Sequence, residues 1–185
     1  MSAPSSYPFV SRGGEKLDHA LGHFALNVAG WVCADLGSHV GGFVDCLLRR
    51  RAARVISVDT SYGTLAWRLR RDPRVTALER TNAMHVKLPV AVDLVTVDVG
   101  WTRQSKVLPN VRTMLKPEGR VVTLIKPHYE APDCVVDGVL PPERLEAVLE
   151  DVLNEIRSLG WTIHGQVESP LRGHGGNREF LVLLS

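Results

Sequence analysis

Four charged side chains are the residues of this sequence whose types and expected places could do chemistry. Asp98 and Lys126 each end a predicted strand, and the two strands are neighbours along the chain. Lys16 lies in the first turn of a predicted helix, where a cation opposes the helix dipole, and Glu179 begins the last predicted strand. Buried charge is costly, so two lysines and two acids around one cleft favour the tuning of a lysine pKa over stabilisation. A buried ion pair between Asp98 and Lys126 is the structural alternative.

A glycine-rich stretch, 35–43, predicts a ligand-binding turn between a strand and a helix. Glycines let a backbone approach a ligand closely, and a helix N-terminus adds free N–H groups. The stretch lacks Gly-Lys-Ser/Thr and does not fit G-x-G-x-x-G, so neither common phosphate loop is present. Asp35, at the strand end, can instead receive an ammonium group, which suits the amino-acid end of S-adenosylmethionine. A glycine-rich turn of any α/β protein is the alternative.

Two further polar residues follow predicted strands on the same edge of the sheet. Asp59 ends the second strand, about 20–25 residues past the glycine-rich turn, where an acid accepts hydrogen bonds from ribose hydroxyls. An exposed strand-end aspartate is the other interpretation. Asn82 follows the third strand and could contact an adenine edge. The alternative, that Asn82 has no functional role, has equal weight.

The elements that must position these residues alternate between strands and helices. Apolar runs predict strands at 31–36, 54–59, 75–79, 91–98, 120–125, 161–167 and 178–184. Helical spacing predicts helices at 14–26, 41–51, 64–71 and 105–115 and a longer one from Pro142 to a cap at Gly160, whereas 128–140 is predicted as a loop. We therefore expect an α/β fold, in which a parallel sheet carries helices on both faces and ends in an antiparallel hairpin strand.

Composition places the chain among globular proteins and excludes several classes. The 185 residues suffice for one domain, expected over 9–185 behind a mobile lead-in, 1–8. A net charge of +2 is too small to indicate nucleic acid by itself, and the arginine clusters at 49–54 and 68–74 are equally typical of solvated helix faces. Three cysteines without paired spacing indicate reduced thiols in the cytoplasm. We expect no metal site, no membrane span and no secretory signal.

Five segments in order, from about Tyr7 to the end of the sequence, together resemble the FtsJ-like 2′-O-ribose RNA methyltransferases, and in particular their TlyA-type, hemolysin-named branch. They are Ser11-Arg-Gly-Gly-Glu-Lys16, Asp35-Leu-Gly-Ser-His-Val-Gly-Gly-Phe43, Val97-Asp-Val99, Lys126-Pro-His-Tyr-Glu130 and Gly176-Asn-Arg-Glu-Phe180. The resemblance implies a seven-stranded Rossmann-like fold, S-adenosylmethionine as the methyl donor and an RNA substrate, ribosomal RNA above all.

The resemblance also implies residue roles. The family's Lys-Asp-Lys-Glu tetrad is carried here by Lys16, Asp98, Lys126 and Glu179. In this hypothesis Lys126, made less basic by Lys16, accepts or orients the proton of the ribose hydroxyl. The donor-binding residues are expected to be Asp35, Gly37, Ser38, Gly41, Gly42, Phe43, Asp59, Asn82 and Asp98. RNA contacts are expected from Arg12 and the arginine-rich faces, with Trp101, His128 and Tyr129 as stacking surfaces or as packing around the cleft.

The sequence departs from this family at three places. It shows no N-terminal S4 RNA-binding domain, it has Val99-Gly100-Trp101 where the family tends to have Val-Ser-Phe, and 131–142 lacks the usual glycine-rich basic loop. Three other functions therefore stay open. They are a non-catalytic donor- and RNA-binding module, a small-molecule O-methyltransferase and a membrane-active hemolysin.

Overall fold

A computed structural model describes residues 8–185 of the chain, so that most of the predicted lead-in, 1–7, lies outside the described residues. Seven strands form within this part: β1 (Val32–Leu36), β2 (Arg54–Val58), β3 (Val75–Leu78), β4 (Val92–Val97), β5 (Leu115–Ile125), β6 (Ile163–Glu168) and β7 (Phe180–Leu184). The α-helices are α1 (Gly13–His23), α2 (Gly42–Arg49), α3 (Trp67–Arg70), α4 (Gln104–Arg112), α5 (Pro127–Glu130) and α6 (Pro142–Ser158). Two short 3₁₀ turns lie at Pro132–Cys134 and His174–Gly176.

The strands form one sheet in the order β3-β2-β1-β4-β5-β7-β6. The first five strands in this order pair in parallel, whereas β7 is antiparallel to both β5 and β6. The fold class and the antiparallel last strand are therefore confirmed. The strand order reverses at β1 and β4, and ligands of such sheets bind beyond the carboxyl ends of the strands at this reversal.

Helices cover both faces of the sheet and complete two hydrophobic layers. On one face α1 and α2 pack side chains such as Leu17 and Leu47 against the sheet. On the other face α4 and α6 contribute Leu108 and Ile156, which are also fully buried. The central strands are thus buried on both sides, as their continuous apolar runs predict. No helix among residues 8–185 is long and apolar enough to cross a membrane.

Three predicted boundaries are wrong, and two of these errors have a local cause. The segment predicted as a loop, 128–140, begins inside α5, because Pro127 is tolerated in the first turn of a helix. Strand β5 begins at Leu115 and not at Arg120, since Leu115 already pairs with Val92 before a register shift in the ladder. Helix α3 is only one turn long, Trp67–Arg70, although 64–71 was expected to be helical.

Candidate active site

A cleft lies beyond the carboxyl ends of β1, β2 and β4 and consists of two adjoining cavities of about 510 and 330 Å³. Gly37, His39 and Asp98 line both cavities, so the two are halves of one site. The larger half is also lined by Val58, Asp59, Thr60, Thr81, Asn82, Ala83, Met84, Val99, Gly100, Trp101, Thr102, Val107 and Lys126. The smaller half is also lined by Ser11, Arg12, Gly13, Lys16, Asp35, Ser38, Val40, Gly42 and Phe43.

The glycine-rich turn forms the floor where the two halves meet. Gly37 has a φ of +86°, and a Cβ there would collide with the backbone carbonyl of Asp98. The Gly37 N–H also donates to the carbonyl of Val58 at 2.9 Å. Only glycine satisfies both the positive φ and the close approach, so the turn packs directly on the backbone that carries Asp98.

A second glycine brings the leading helix to the cleft. A Cβ at Gly42 would lie 2.8 Å from the backbone nitrogen of Gly14, so the first turns of α1 and α2 pack backbone against backbone. This contact places Lys16, in the first turns of α1, on the wall of the smaller cavity. Gly41, with a φ of +100°, caps α2 and does not line the cleft.

Asp35, at the end of β1, is the buried acid of the smaller cavity. Its Oδ1 accepts a hydrogen bond from the Thr96 hydroxyl at 2.7 Å, whereas its buried Oδ2 has no hydrogen-bond partner among residues 8–185. Burial raises the pKa of Asp35 to about 7, against the hydrogen bonds from Thr96 and Ser38 and with a contribution from the charge of Asp98. An unpartnered buried carboxylate oxygen fits a cationic ligand such as an ammonium group.

Asp59 and Asn82 both line the larger cavity, as the ribose and adenine predictions require. Asp59 accepts hydrogen bonds from the backbone N–H groups of His39 and Ser61, each at 2.7 Å. Burial would raise the pKa of Asp59, but these hydrogen bonds and one from the Ser61 hydroxyl lower it below its usual value. Asn82 accepts from the N–H of Met84 at 2.9 Å. Both side chains are therefore held in place before a ligand enters.

The four predicted charges come together as two ion pairs. Lys126 Nζ lies 2.5 Å from Asp98 Oδ1, and both residues line the larger cavity. Lys16 and Glu179 form a second ion pair, which is nearly closed to solvent. The residues span the chain from α1 to β7, and the sheet order is what brings them together.

The pKa of Lys126 moves in the direction opposite to the one expected. Burial alone would lower it, but the charge and hydrogen bond of Asp98 outweigh burial, with smaller contributions from Glu179 and Tyr129. The pKa of Lys126 is therefore raised and not lowered, so the expectation of a less basic Lys126 is wrong. In this state Lys126 is an ammonium group.

Aromatic residues form one rim of the cleft beside Lys126. Trp101 is 87% exposed, has a positive φ of 55° and stacks on Tyr129 with ring centroids 4.6 Å apart. Tyr129 also contacts the buried ring of His128 at 4.3 Å. A left-handed conformation is strained for a bulky residue and is a feature of functional sites. Of the three predicted stacking residues, Trp101 and Tyr129 therefore form the accessible surface.

The predicted arginine clusters are largely engaged within the protein. Asp45 is buried and pairs with Arg49 and Arg68, while Arg50 pairs with Asp18. Further ion pairs of these clusters are Arg70 with Glu79 and Arg74 with Asp72. The solvated-face interpretation therefore accounts for most of the clusters. By contrast, Arg12 lines the smaller cavity.

Several site residues carried no signal in the sequence. Thr96 lies within β4 and looks like an ordinary strand residue in the sequence, yet its hydroxyl donates a hydrogen bond to Asp35. Thr60, Thr81 and Met84 line the larger cavity from loops that no motif marks. Their neighbours Asp59 and Asn82 are the only local indication. Among residues 8–185 no group of three or more histidine, cysteine, aspartate or glutamate side chains could hold a metal ion.

Comparison with solved structures defines the class of fold. An S-adenosylmethionine-dependent methyltransferase of Mesorhizobium loti superposes with a TM-score of 0.66 over 90% of this chain and 95% of its own, at 18% identity. At this identity the likeness concerns the fold alone. The chain thus has the fold of the S-adenosylmethionine-dependent methyltransferases.

The family follows from the sequence comparison. Residues 9–185 match the model of the FtsJ-like methyltransferases, and the chain belongs to this family. It is 42% identical, over 97% of its length and 69% of the relative's, to the 16S/23S rRNA (cytidine-2′-O)-methyltransferase TlyA of Mycobacterium tuberculosis. A hemolysin-named protein of Streptococcus thermophilus has a TM-score of 0.93 at 33% identity, over 98% of this chain and 68% of that one. The chain is therefore a methyltransferase with S-adenosylmethionine as its cofactor.

Donor affinity should depend on pH through Asp35. The neutral carboxyl predominates below its pKa of about 7, so we expect calorimetric affinity for S-adenosylmethionine to fall about 8-fold between pH 7.5 and 6. Asp35→Asn should weaken binding about 30-fold at pH 7.5 and flatten the pH profile.

Because the folded pKa is raised, the unliganded wild type should gain stability as pH falls through 7. Exposed Asp151→Asn is the control; an unchanged affinity in Asp35→Asn would contradict this role.

Proposed function

We propose that this methyltransferase transfers a methyl group to a ribose 2′-hydroxyl of RNA, with ribosomal RNA as the first candidate, and that Lys16, Asp98, Lys126 and Glu179 are its catalytic set. The observation that carries the proposal is the Lys126–Asp98 pair, 2.5 Å apart, in the lining of the cavity that Asp59 and Asn82 also line. The relatives named as ribosomal RNA (cytidine-2′-O)-methyltransferases support the acceptor. The reaction with such RNA is accordingly proposed to occur in the cytoplasm.

The donor is proposed to lie across both halves of the cleft. Its ammonium group would meet the unpartnered Oδ2 of Asp35 in the smaller half. Its ribose would contact Asp59 and its adenine would lie near Asn82 in the larger half. Gly37, which lines both halves, is at the junction of these groups and next to Asp98. The Lys126–Asp98 pair lines the same cleft as these proposed donor contacts.

The reaction needs one bond made, one bond broken and one proton removed. When bound, S-adenosylmethionine would supply an activated methyl group to the hydroxyl oxygen, and the electron pair of the broken carbon–sulfur bond would remain on sulfur. The resting Lys126 ammonium can donate a hydrogen bond to the hydroxyl oxygen and so orient it. A sulfonium placed nearby adds a positive charge, which lowers the pKa of Lys126. Proton acceptance by Lys126 is therefore proposed to depend on the bound donor.

RNA is proposed to approach over the aromatic rim. Trp101 offers an exposed ring beside Lys126, and base–aromatic stacking stabilises single-stranded RNA by about 1–3 kcal/mol per base. Arg12 lies on the wall of the smaller cavity and could contact a phosphate. Arg80 also forms an exposed cation–π pair with Tyr62, 4.3 Å from the ring centroid, in the loops that follow β3 and β2.

Methyl transfer to ribosomal RNA tests the proposal directly. The purified protein, labelled S-adenosylmethionine and protein-free or subunit-bound ribosomal RNA should yield labelled RNA, and mass spectrometry should locate the methyl group on a ribose 2′-oxygen. No incorporation into RNA but turnover with small hydroxyl compounds would favour a small-molecule methyltransferase. Donor binding without turnover on either acceptor would favour a binding module, and leakage of liposomes would favour a hemolysin.

A further inference from the structure

Glu130 is a buried acid outside the cleft that the proposed reaction does not use. It is 8% exposed and closes the short helix α5, which begins directly after Lys126. Its Oε1 accepts a hydrogen bond from the backbone N–H of Gln104 at 3.0 Å. Gln104 is the first residue of α4, whose own N-cap residue, Arg103, makes no side-chain hydrogen bond to the helix. The free N–H at the start of α4 is thus satisfied by an acid from another element.

Gln104 ties the same point of α4 to β5. Its side-chain amide donates to the carbonyl of Leu124 at 3.2 Å and accepts from the hydroxyl of Thr123 at 2.6 Å. Gln104 and Thr123 are essentially closed to solvent. Hydrogen bonds in such a buried place are costly to leave unmade. The start of α4 is therefore held from β5, before Lys126, and from α5, after it.

Besides a long hydrogen bond from Lys126 Nζ to the carbonyl of Val99, at 3.5 Å, three contacts join the segment after Asp98 to the segment that begins with Lys126. The first is the ion pair between Asp98 and Lys126, and the second is the stack of Trp101 on Tyr129. The third is the hydrogen bond between Gln104 and Glu130. The first two are partly open to solvent, and only the third is buried at both ends. The buried contact is the one best able to hold the other two in register.

We propose that Glu130 is a positioning residue, which holds the segment from Asp98 to Gln104 against the segment from Lys126 and so sets the distance between the Lys126 and Asp98 side chains. The expected loss of kcat rests on the function proposed above, whereas the positioning role itself does not. Because reactions in a site lose rate steeply with small misplacements of the reacting groups, a loosened Asp98 should lower kcat more than it lowers donor affinity.

Two substitutions separate the hydrogen bond from the charge. Glu130→Ala removes the acceptor, whereas Glu130→Gln keeps an acceptor oxygen without the charge. We expect Glu130→Ala to lower kcat about 30-fold or more, with the Kd for S-adenosylmethionine within about threefold of wild type since Glu130 does not line the cleft. Glu130→Gln should recover most of the lost rate. Glu155→Ala, an exposed acid beside the same small surface cavity as Glu130, is the matched control and should behave as wild type.

Hydrogen exchange gives a readout that does not depend on the acceptor. The amides from Gln104 to Val107 should exchange at least about tenfold faster in Glu130→Ala and at the wild-type rate in Glu130→Gln. Wild-type exchange or wild-type kcat in Glu130→Ala would overturn the inference, as would a Glu130→Gln protein that is as slow as Glu130→Ala. If Glu130→Ala does not fold, Thr123→Val loosens the same point from β5, and an unchanged kcat there would also overturn it. If the wild type methylates no RNA, the proposed function fails while the exchange comparison still decides the role of Glu130.

Discussion

Replacing Lys126 by alanine should abolish methyl transfer while leaving the binding of S-adenosylmethionine near normal. The substitution removes the group that is proposed to orient the hydroxyl and take its proton, which contributes on the order of 10³-fold in rate. Lys126 pairs with Asp98 but does not belong to the glycine-rich turn and is none of the proposed donor-binding residues, so the donor contacts should remain. Single-turnover transfer and calorimetric donor binding are the two measurements.

A second substitution separates proton acceptance from orientation. Lys126→Arg keeps the positive charge and the donor hydrogens, but a guanidinium does not give up its proton in proteins. We expect Lys126→Arg to be nearly as slow as Lys126→Ala if Lys126 accepts the proton. Lys116→Ala is the control, because this lysine pairs with Asp93 at the opposite end of the sheet from the cleft. A wild-type rate in Lys126→Ala would show that Lys126 has no role in the reaction.

Replacing Glu179 by alanine should damage both stability and activity. Lys16 and Glu179 are 8% and 3% exposed in their side chains, and removal of one partner leaves a buried charge without compensation. Loss of one member of such a pair typically costs about 3–5 kcal/mol of unfolding free energy. Urea unfolding of Glu179→Ala should therefore show a much lower midpoint with an unchanged slope. Transfer should fall as well, since Glu179 also acts on the pKa of Lys126.

A double variant distinguishes the two effects. Lys16→Met with Glu179→Leu replaces the pair by apolar side chains of similar size, which is often neutral or stabilising. The double variant should regain most of the stability lost in Glu179→Ala, yet remain slow in methyl transfer. Full recovery of activity together with stability would mean that this pair is structural and has no part in the reaction.

Much of the fold was predictable because its signals are local. Continuous apolar strands, the glycine-rich turn and the absence of a helix between the last two strands predict the sheet and its antiparallel strand, and all three are found. Strand ends also placed Asp35, Asp59 and Asp98 at one edge, where they line the cleft. Helix α5 escaped prediction because its four residues are too few for a helical period to be visible.

The electrostatics of the site were not predictable, because they depend on partners far apart in the sequence. The number of charged residues does not show which of them form ion pairs. The pKa of Lys126 is raised because Asp98 lies close to it, and the presence of Lys16 in the sequence could not reveal this. The same holds for Asp35, whose pKa depends on complete burial and on a hydrogen bond from Thr96, a residue 61 positions away. Periodicity reports which face a residue lies on, but not its neighbours on other strands.

The position of β7 has a consequence for how an active molecule arises during synthesis. A growing chain that has not yet reached 179 already contains the glycine-rich turn, Asp98 and Lys126, but Lys16 still lacks its acid. Strand β6 also has no place in the sheet until β7 inserts between it and β5. Translation from the N-terminus therefore supplies the glycine-rich turn early and the last member of the charged set near the end. A chain that ends before 179 therefore cannot form the second of the two ion pairs.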